Sequence, residues 1–414
     1  MKLLYTVVFV LVHVTPPCEL TNTRLTGVFN WTTITYQISQ EETKAAIESG
    51  RYIPENNLAL GIERWNNKLF VTVPRFKPGV LATLNYISLA NMNSSNKSPD
   101  LIPYPNLEAN TGTVTTWPPK LQSACRIRVD SCDRLWVMDT GIIDILAQPK
   151  QQMPPTIFIY DLKNDELLYT YPFKDKVDYN ENSFFPNIIV DVTSANCEQA
   201  YAYIPDIGNY KVIVYSLQNN QTHIVTHNYF HFDPLSGDFT SNGVHFQWQD
   251  GVFGMALSPV DRDGFRLVYF HPLASTMEFA VSSKYLQNST LAKENLKAFK
   301  VLGNRGINGQ SSASFLDEET GVLFYTQINR NAVACWNSFK GEEYNEKTQG
   351  VVADDEETLS FPNDIKVDKT GILWVINSPL PEFMIAGLNK NNINFRIFMA
   401  PVRQAIKGTS CDEM

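Results

Sequence analysis

Apolar and polar positions recur along this chain as one repeated phrase, a strand-like run of mostly apolar residues that ends in a small or polar side chain. It occurs at 68–73 (KLFVTV), 134–139 (RLWVMD), 201–206 (YAYIPD), 266–271 (RLVYFH), 322–327 (VLFYTQ) and 372–377 (ILWVIN), with steps of 66, 67, 65, 56 and 50 residues between the run ends. Most runs follow an acidic residue and a turn, as in VDSCDRLWV, LDEETGVLFY and VDKTGILWV. Most precede a second apolar run: ATLNYISL, TIFIYDL, KVIVYSL, MEFAVSS, AVACWN and MIAGLN. Each unit reads as a small antiparallel sheet that cannot bury both faces alone. Six such sheets stacked radially can, so the expected fold is all-β, a six-bladed β-propeller with minor helical insertions.

A further segment lies upstream of each run: 57–63 (NLALGIE), 125–130 (CRIRVD), 185–191 (FPNIIVD), 250–258 (DGVFGMALS), 311–317 (SSASFLD) and 361–368 (FPNDIKVD). In a propeller the innermost strands line the central channel, and small or polar residues are expected where their backbones converge. The starts of these strands would crowd one mouth of that channel. This makes Arg126, Asn187, Asp250, Ser311, Asn363 and Asp364 the candidate site residues, with Phe185 and Phe361 as aromatic walls. Taken singly, each polar group could equally satisfy backbone hydrogen bonds along the tunnel. Outside the repeats, EETKAAIES closed by Gly50 reads as a helix, and 91–100 and 146–155 as loops. The stretch 285–299 reads as a helical insertion between blades, and 341–357 as an acidic, mobile connection.

A chain of 414 residues usually implies two or three domains, but a propeller is one domain whose size grows with its blades. A net charge of −9 with scattered Lys and Arg argues against a nucleic-acid partner. Lys2 followed by the apolar run 3–14 has the charge and length of a signal peptide, placed at 1–18, and is too short to span a bilayer. Acceptor sequons at Asn30, Asn93, Asn96, Asn220 and Asn288 agree with secretion. No later run is long enough for a membrane anchor, so 19–414 is expected to be one secreted, glycosylated, monomeric domain. Of six cysteines, Cys132 and Cys197 precede the recurring strand in neighbouring units and should face one another across a blade boundary. Cys411 in the tail could tie back to Cys335, while Cys125 is left free or competes for Cys132. None of the spacings is a zinc pattern.

At CDRLWVMDTG (132–141) and FDPLSGDFTSNGVHFQWQDGVFGMALSP (232–259) the chain resembles the Yellow and major royal jelly protein family of insects. YDLKNDELLYTYPF, FPNIIVDV, AYAYIPDIGNYKVIVYSL and FPNDIKVD extend the likeness from about residue 25 to the C-terminus. The resemblance implies a secreted six-bladed propeller. It also implies a function of one of three kinds: dopachrome conversion in melanisation and cuticle tanning, binding of biogenic amines, or nutrition. No agreed catalytic motif comes with it.

Dopachrome conversion removes a proton from an indoline ring, which requires a base, donors for the oxygen that gains charge, and a group for the substrate carboxylate. Asp364 or Asp250 is the expected base, with His245 in NGVHFQW as the alternative because its ordinary pKa suits neutral pH. Asn363 and Asn187 would donate, Arg126 would hold the carboxylate and Phe361 would stack on the ring. A protonated aromatic amine such as serotonin or dopamine would instead use Asp250, Asp364, Phe185 and Phe361. A third reading follows from the similarity of FPNDIKVDKTGILWV to blades of gluconolactonase-type hydrolases, with Glu63, Asn187, Asn363 and Asp250 as oxygen ligands for calcium. Glu63 falls out of register for that set, and no cofactor is expected. His227 and His231 in HNYFHF, read as strand, would lie roughly 13 Å apart, too far to share an ion.

Overall fold

Each recurring run forms the second strand of a four-stranded antiparallel sheet in the computed structural model, which describes residues 24–91, 96–111 and 118–412. The expected leader and the Asn93 sequon lie outside those residues. Six four-stranded sheets follow one another along the chain as blades. Their first strands are Ile62–Trp65, Ala124–Val129, Ile189–Thr193, Val252–Val260, Ser314–Leu316 and Pro362–Val367. Each touches the first strands of both neighbouring blades, so the six close a ring around a central channel. The ring is locked because the early strand Thr26–Trp31 pairs with Phe395–Pro401 and completes blade 6 from the opposite end of the chain.

In five of the six recurring runs the last residue, or the one before it, is polar and pins the segment that enters the channel. Thr72 accepts from the Gly61 amide at 2.9 Å, and Asp139 accepts from the amides of Gln122 (2.6 Å) and Ser123 (2.9 Å). Asp206 accepts from the Phe184 amide at 3.1 Å, and Thr326 from the amides of Ser312 and Ala313, both at 3.1 Å. Asn377 donates to the Ser360 carbonyl at 3.2 Å. Blade 4 departs from the pattern. His271 there lies across Gly254, where an added Cβ would come within 2.1 Å of its Nε2. The acidic residues before the turns act at the other end of the strands. Asp130 accepts from the Trp136 indole at 2.8 Å and Asp368 from the Trp374 indole at 2.7 Å, tying each turn to the next strand.

Four sequence expectations are corrected. MIAGLN is the end of the helix Leu380–Ile385 and a turn through Gly387 at φ 83°, and the third strand of blade 6 is Phe395–Pro401. Pro381 in the first helical turn favours helix over strand there. The helices Ser283–Leu286 and Ser289–Glu294 lie inside blade 4, between its third and fourth strands. Residues 341–357 are not a mobile link, since Gln349–Asp354 is the outer strand of blade 5 and Tyr344 is buried. HNYFHF is a 3-10 turn, Asn228–Phe230, capped by the His227 ring accepting from the Tyr229 amide, rather than a strand.

Cys132 pairs with Cys197 and joins blades 2 and 3, Cys335 pairs with Cys411, and Cys125 is a free, buried thiol. Asn96, Asn220 and Asn288 are exposed and Asn30 is partly so. Among the described residues no helix is long and apolar enough to cross a membrane. The Cys132–Cys197 bond closes a separation of 65 residues. Replacing both cysteines by serine is expected to lower stability by about 2–5 kcal/mol, read by denaturant melts under non-reducing conditions.

Candidate functional site in the central channel

Arg126, on the inner strand of blade 2, reaches across the channel axis. Its Nη1 donates to the Ser312 carbonyl of blade 5 at 2.8 Å and its Nη2 to the Asn363 carbonyl of blade 6. The guanidinium lies 4.9 Å from the centroid of Phe253 on blade 4, and its Nε stands 3.7 Å from Asp364. Burial lowers the pKa of this guanidinium and Asp364 opposes the shift. Both ends of its fork are therefore occupied by backbone, and what it offers a ligand is charge, not the bidentate clamp expected from sequence.

Asp364 is held equally firmly. It accepts from the Ile62 and Ile365 amides at 3.0 and 2.9 Å and from Lys366 Nζ at 2.5 Å. A carboxylate used this way knits blades 1 and 6 together and has little freedom to take a proton from a ligand. Asn363 spends its amide on Ser378 and the Phe361 carbonyl, and Asn187 donates to the Phe253 carbonyl at 2.8 Å. Ser311 is fully buried against the Ala313 carbonyl.

The two mouths of the channel differ. At the mouth formed by the strand starts, the two-stranded excursion Asp238–Ser241 and Val244–Gln247 brings Phe239, Phe246 and Trp248 over the channel. Trp248 stacks on Phe361 at 6.3 Å, and Ser241 reaches Glu382 of blade 6 at 3.4 Å. Phe184, Trp248 and Phe253 stay partly accessible there. Asp250 lies beside Tyr210, which stacks on His231 at 4.5 Å. Burial pushes the Asp250 carboxyl up to about 7, and among the described residues it has no hydrogen-bond or ion-pair partner. At the opposite mouth, formed by the strand ends, a cavity of about 450 Å³ opens, lined by Glu63, Arg126, Arg128, Phe315, Asp364 and Lys366 among others.

The predicted residues thus divide. Arg126, Asn187 and Asp364 line the strand-end cavity, while Asp250 and Phe361 belong to the aromatic side. Phe185 is not a channel wall, because it packs 5.1 Å from Phe173 in the core between blades 2 and 3. His245 is exposed on the hairpin, with its Nδ1 2.9 Å from the Thr240 hydroxyl, and is not brought to the cavity. Sequence reasoning passed over Arg128, Lys366, Phe315 and Phe253. Two of these carried a signal, since Arg128 and Lys366 stand two residues from Arg126 and Asp364 and so share their faces of the inner strands.

The calcium set does not fit. Glu63 is engaged by Arg128 Nη1 at 3.2 Å and by the Val129 amide at 3.3 Å, and the amide groups of Asn187 and Asn363 donate to carbonyls. Arg126 and Lys366 put positive charge where a cation would have to sit. Among the described residues no group of three or more His, Cys, Asp and Glu side chains gathers as metal ligands.

Fold and site define a six-bladed propeller with a ligand-sized cavity on its axis. The chain belongs to the Yellow and major royal jelly protein family: the family model described as Major royal jelly protein matches residues 122–411. It is 38% identical over 392 residues to Protein yellow of Drosophila melanogaster, covering 93% of this chain and 70% of that protein. Protein yellow of Drosophila subobscura is 39% identical over 392 residues, covering 93% and 66%. Among solved structures, virginiamycin B lyase from Staphylococcus aureus aligns at 10% identity with a TM-score of 0.42, covering 84% of this chain and 95% of that one. A protein of unknown function from Bacteroides thetaiotaomicron aligns at 9% with 0.49, covering 90% and 75%. Neither likeness bears on function.

Removing the Arg126 side chain strips Asp364 of a buried counter-charge and two blades of a shared donor. Arg126→Met is expected to cost about 3–5 kcal/mol in denaturant unfolding. His245→Gln, on an exposed hairpin, should stay within about 0.5 kcal/mol of the parent.

Proposed function

We propose that this is a secreted Yellow-type protein that converts dopachrome to dihydroxyindoles in insect melanisation and cuticle pigmentation. The feature that carries the reading is Asp250, beside Tyr210 at the strand-start mouth, without an ion-pair partner among the described residues and with its carboxyl pushed up to about 7 by burial. A base is most effective when its pKa lies near the working pH. Asp364 is instead tied to two amides and Lys366, and His245 stands exposed on the hairpin. Trp248 and Phe253, both partly accessible, offer faces for a flat indoline, and the charge of Arg126 behind Phe253 favours the end carrying the carboxylate. Asp250 takes a proton from the ring carbon that bears the carboxylate while the bonding electrons move into the quinone. That proton, together with a second one lost from the neighbouring ring carbon, ends on the two oxygens as hydroxyls. Where the carboxylate leaves instead, its bonding electrons enter the quinone and solvent supplies the proton. The product is an isomer, or loses the carboxylate as carbon dioxide.

A base must be ionised to act, so turnover should rise with pH through about 7 and level off above it. Asp250→Asn is expected to slow the loss of dopachrome absorbance by about 100-fold or more and to remove that pH step. Full activity in this variant would exclude Asp250 as the base.

The same residue supports a second reading, binding of a biogenic amine without turnover, because an unpaired carboxylate beside an aromatic ring suits a protonated amine. An ammonium favours the ionised carboxylate, so binding should release a proton at pH 6 and little at pH 8. Calorimetry with serotonin or dopamine in buffers of different ionisation enthalpy measures this. Heat without dopachrome turnover selects the binding reading, and turnover selects conversion.

A further inference from the structure

On the strand-end side of Arg126 the channel holds five interlocked charges. Asp364 is shared by Lys366 at 2.5 Å and Arg126 at 3.7 Å, and Glu63 is engaged by Arg128 at 3.2 Å. Three cations therefore face two carboxylates. Moving a proton from Lys366 to Glu63, the direction in which burial pushes both groups, leaves the excess of one positive charge unchanged. Buried charges are normally matched, because an unmatched one forfeits its hydration. Here the mismatch coincides with an unmet donor, since Arg126 Nε is buried without a hydrogen-bond partner. Lys366 Nζ, with three protons, makes one hydrogen bond among the described residues.

Nearer the solvent the cavity's cations are matched. Arg64 pairs with Asp368 at 2.6 Å, and Arg266 with Asp191 at 3.1 Å and Glu318 at 2.7 Å. The excess is thus confined to the inner end. The wall beside it is aromatic and apolar: the Arg128 guanidinium lies 4.3 Å from the centroid of Phe315, and Met255 and Leu257 line the same space. A volume of about 450 Å³ accommodates a ring with a short substituent.

We infer that this strand-end cavity is a binding site for a small aryl carboxylate, with Lys366 and Arg128 holding the carboxylate and Phe315 flanking the ring. The site is separate from Asp250, which stands at the strand-start mouth, and it does not depend on the conversion reading. An inorganic anion would use the cations but leave Phe315 without a role.

Calorimetric titration of the full chain with benzoate, benzamide and inorganic phosphate tests this. Benzoate is expected to bind one to one, with benzamide and phosphate each at least 10-fold weaker. Lys366→Met and Arg128→Met should each weaken benzoate at least 10-fold, while Asp250→Asn leaves it unchanged. If Lys366→Met does not fold, Arg128→Met on the more accessible wall decides alone. Equal binding of benzoate and benzamide removes the carboxylate from the proposal, and phosphate as tight as benzoate removes the ring. Unchanged affinity in Arg128→Met, or loss of binding in Asp250→Asn, places the ligand elsewhere and overturns it.

Discussion

A single guanidinium crossing the channel axis organises this molecule. Arg126 leaves blade 2 and ends on carbonyls of blades 5 and 6, against a ring of blade 4 and beside a carboxylate of blade 6. Without such a bridge, inner strands of opposite blades would have only water between them. With it, the channel becomes two compartments of different chemistry, aromatic on the strand-start side and ionic on the strand-end side. Burying the charge is expensive, and the cost is offset only because Asp364 and two backbone acceptors lie within reach.

The blades are held in register by a simpler device. In five of the six blades a polar residue at or next to the end of the second strand bonds the chain where it enters the channel, so the first strand of such a blade cannot slide without breaking a buried hydrogen bond. Thr72, Asp139, Asp206, Thr326 and Asn377 do this with different functional groups, which is why the recurrence shows as a polarity pattern and not as one conserved-looking letter. Blade 4 substitutes a histidine that leans on a glycine. Because the device tolerates chemical variety, each blade can present a different side chain to the axis, and a repetitive scaffold acquires an asymmetric interior.

Much of the fold was legible because strand periodicity is local. Every recurring run is a second strand and every upstream segment enters an inner one, and the Cys132–Cys197 disulfide follows from neighbouring units meeting. Errors arose where the chain departs from the repeat or a distant segment supplies the partner. Blade 6 inserts the helix Leu380–Ile385 between its second and third strands, so the local search for a third strand settled on MIAGLN, the end of that helix and the turn after it. The hairpin over the strand-start mouth was equally invisible, as its contacts with Phe361 and Glu382 span more than a hundred residues of chain.

Sequence alone determined the architecture, the blade count and the set of polar residues delivered to the axis, because each follows from spacing along a strand or between repeats. Tertiary structure alone decided what those residues do there. Whether an aspartate is a locked structural anion or an unpaired carboxyl depends on what faces it across the channel. Asp364 meets two cations and two amides, and Asp250, beside Tyr210, meets no counter-charge among the described residues. Lys366 and the Ile365 amide adjoin Asp364 in the chain, but the Ile62 amide and Arg126, which complete its hold, come from blades 1 and 2.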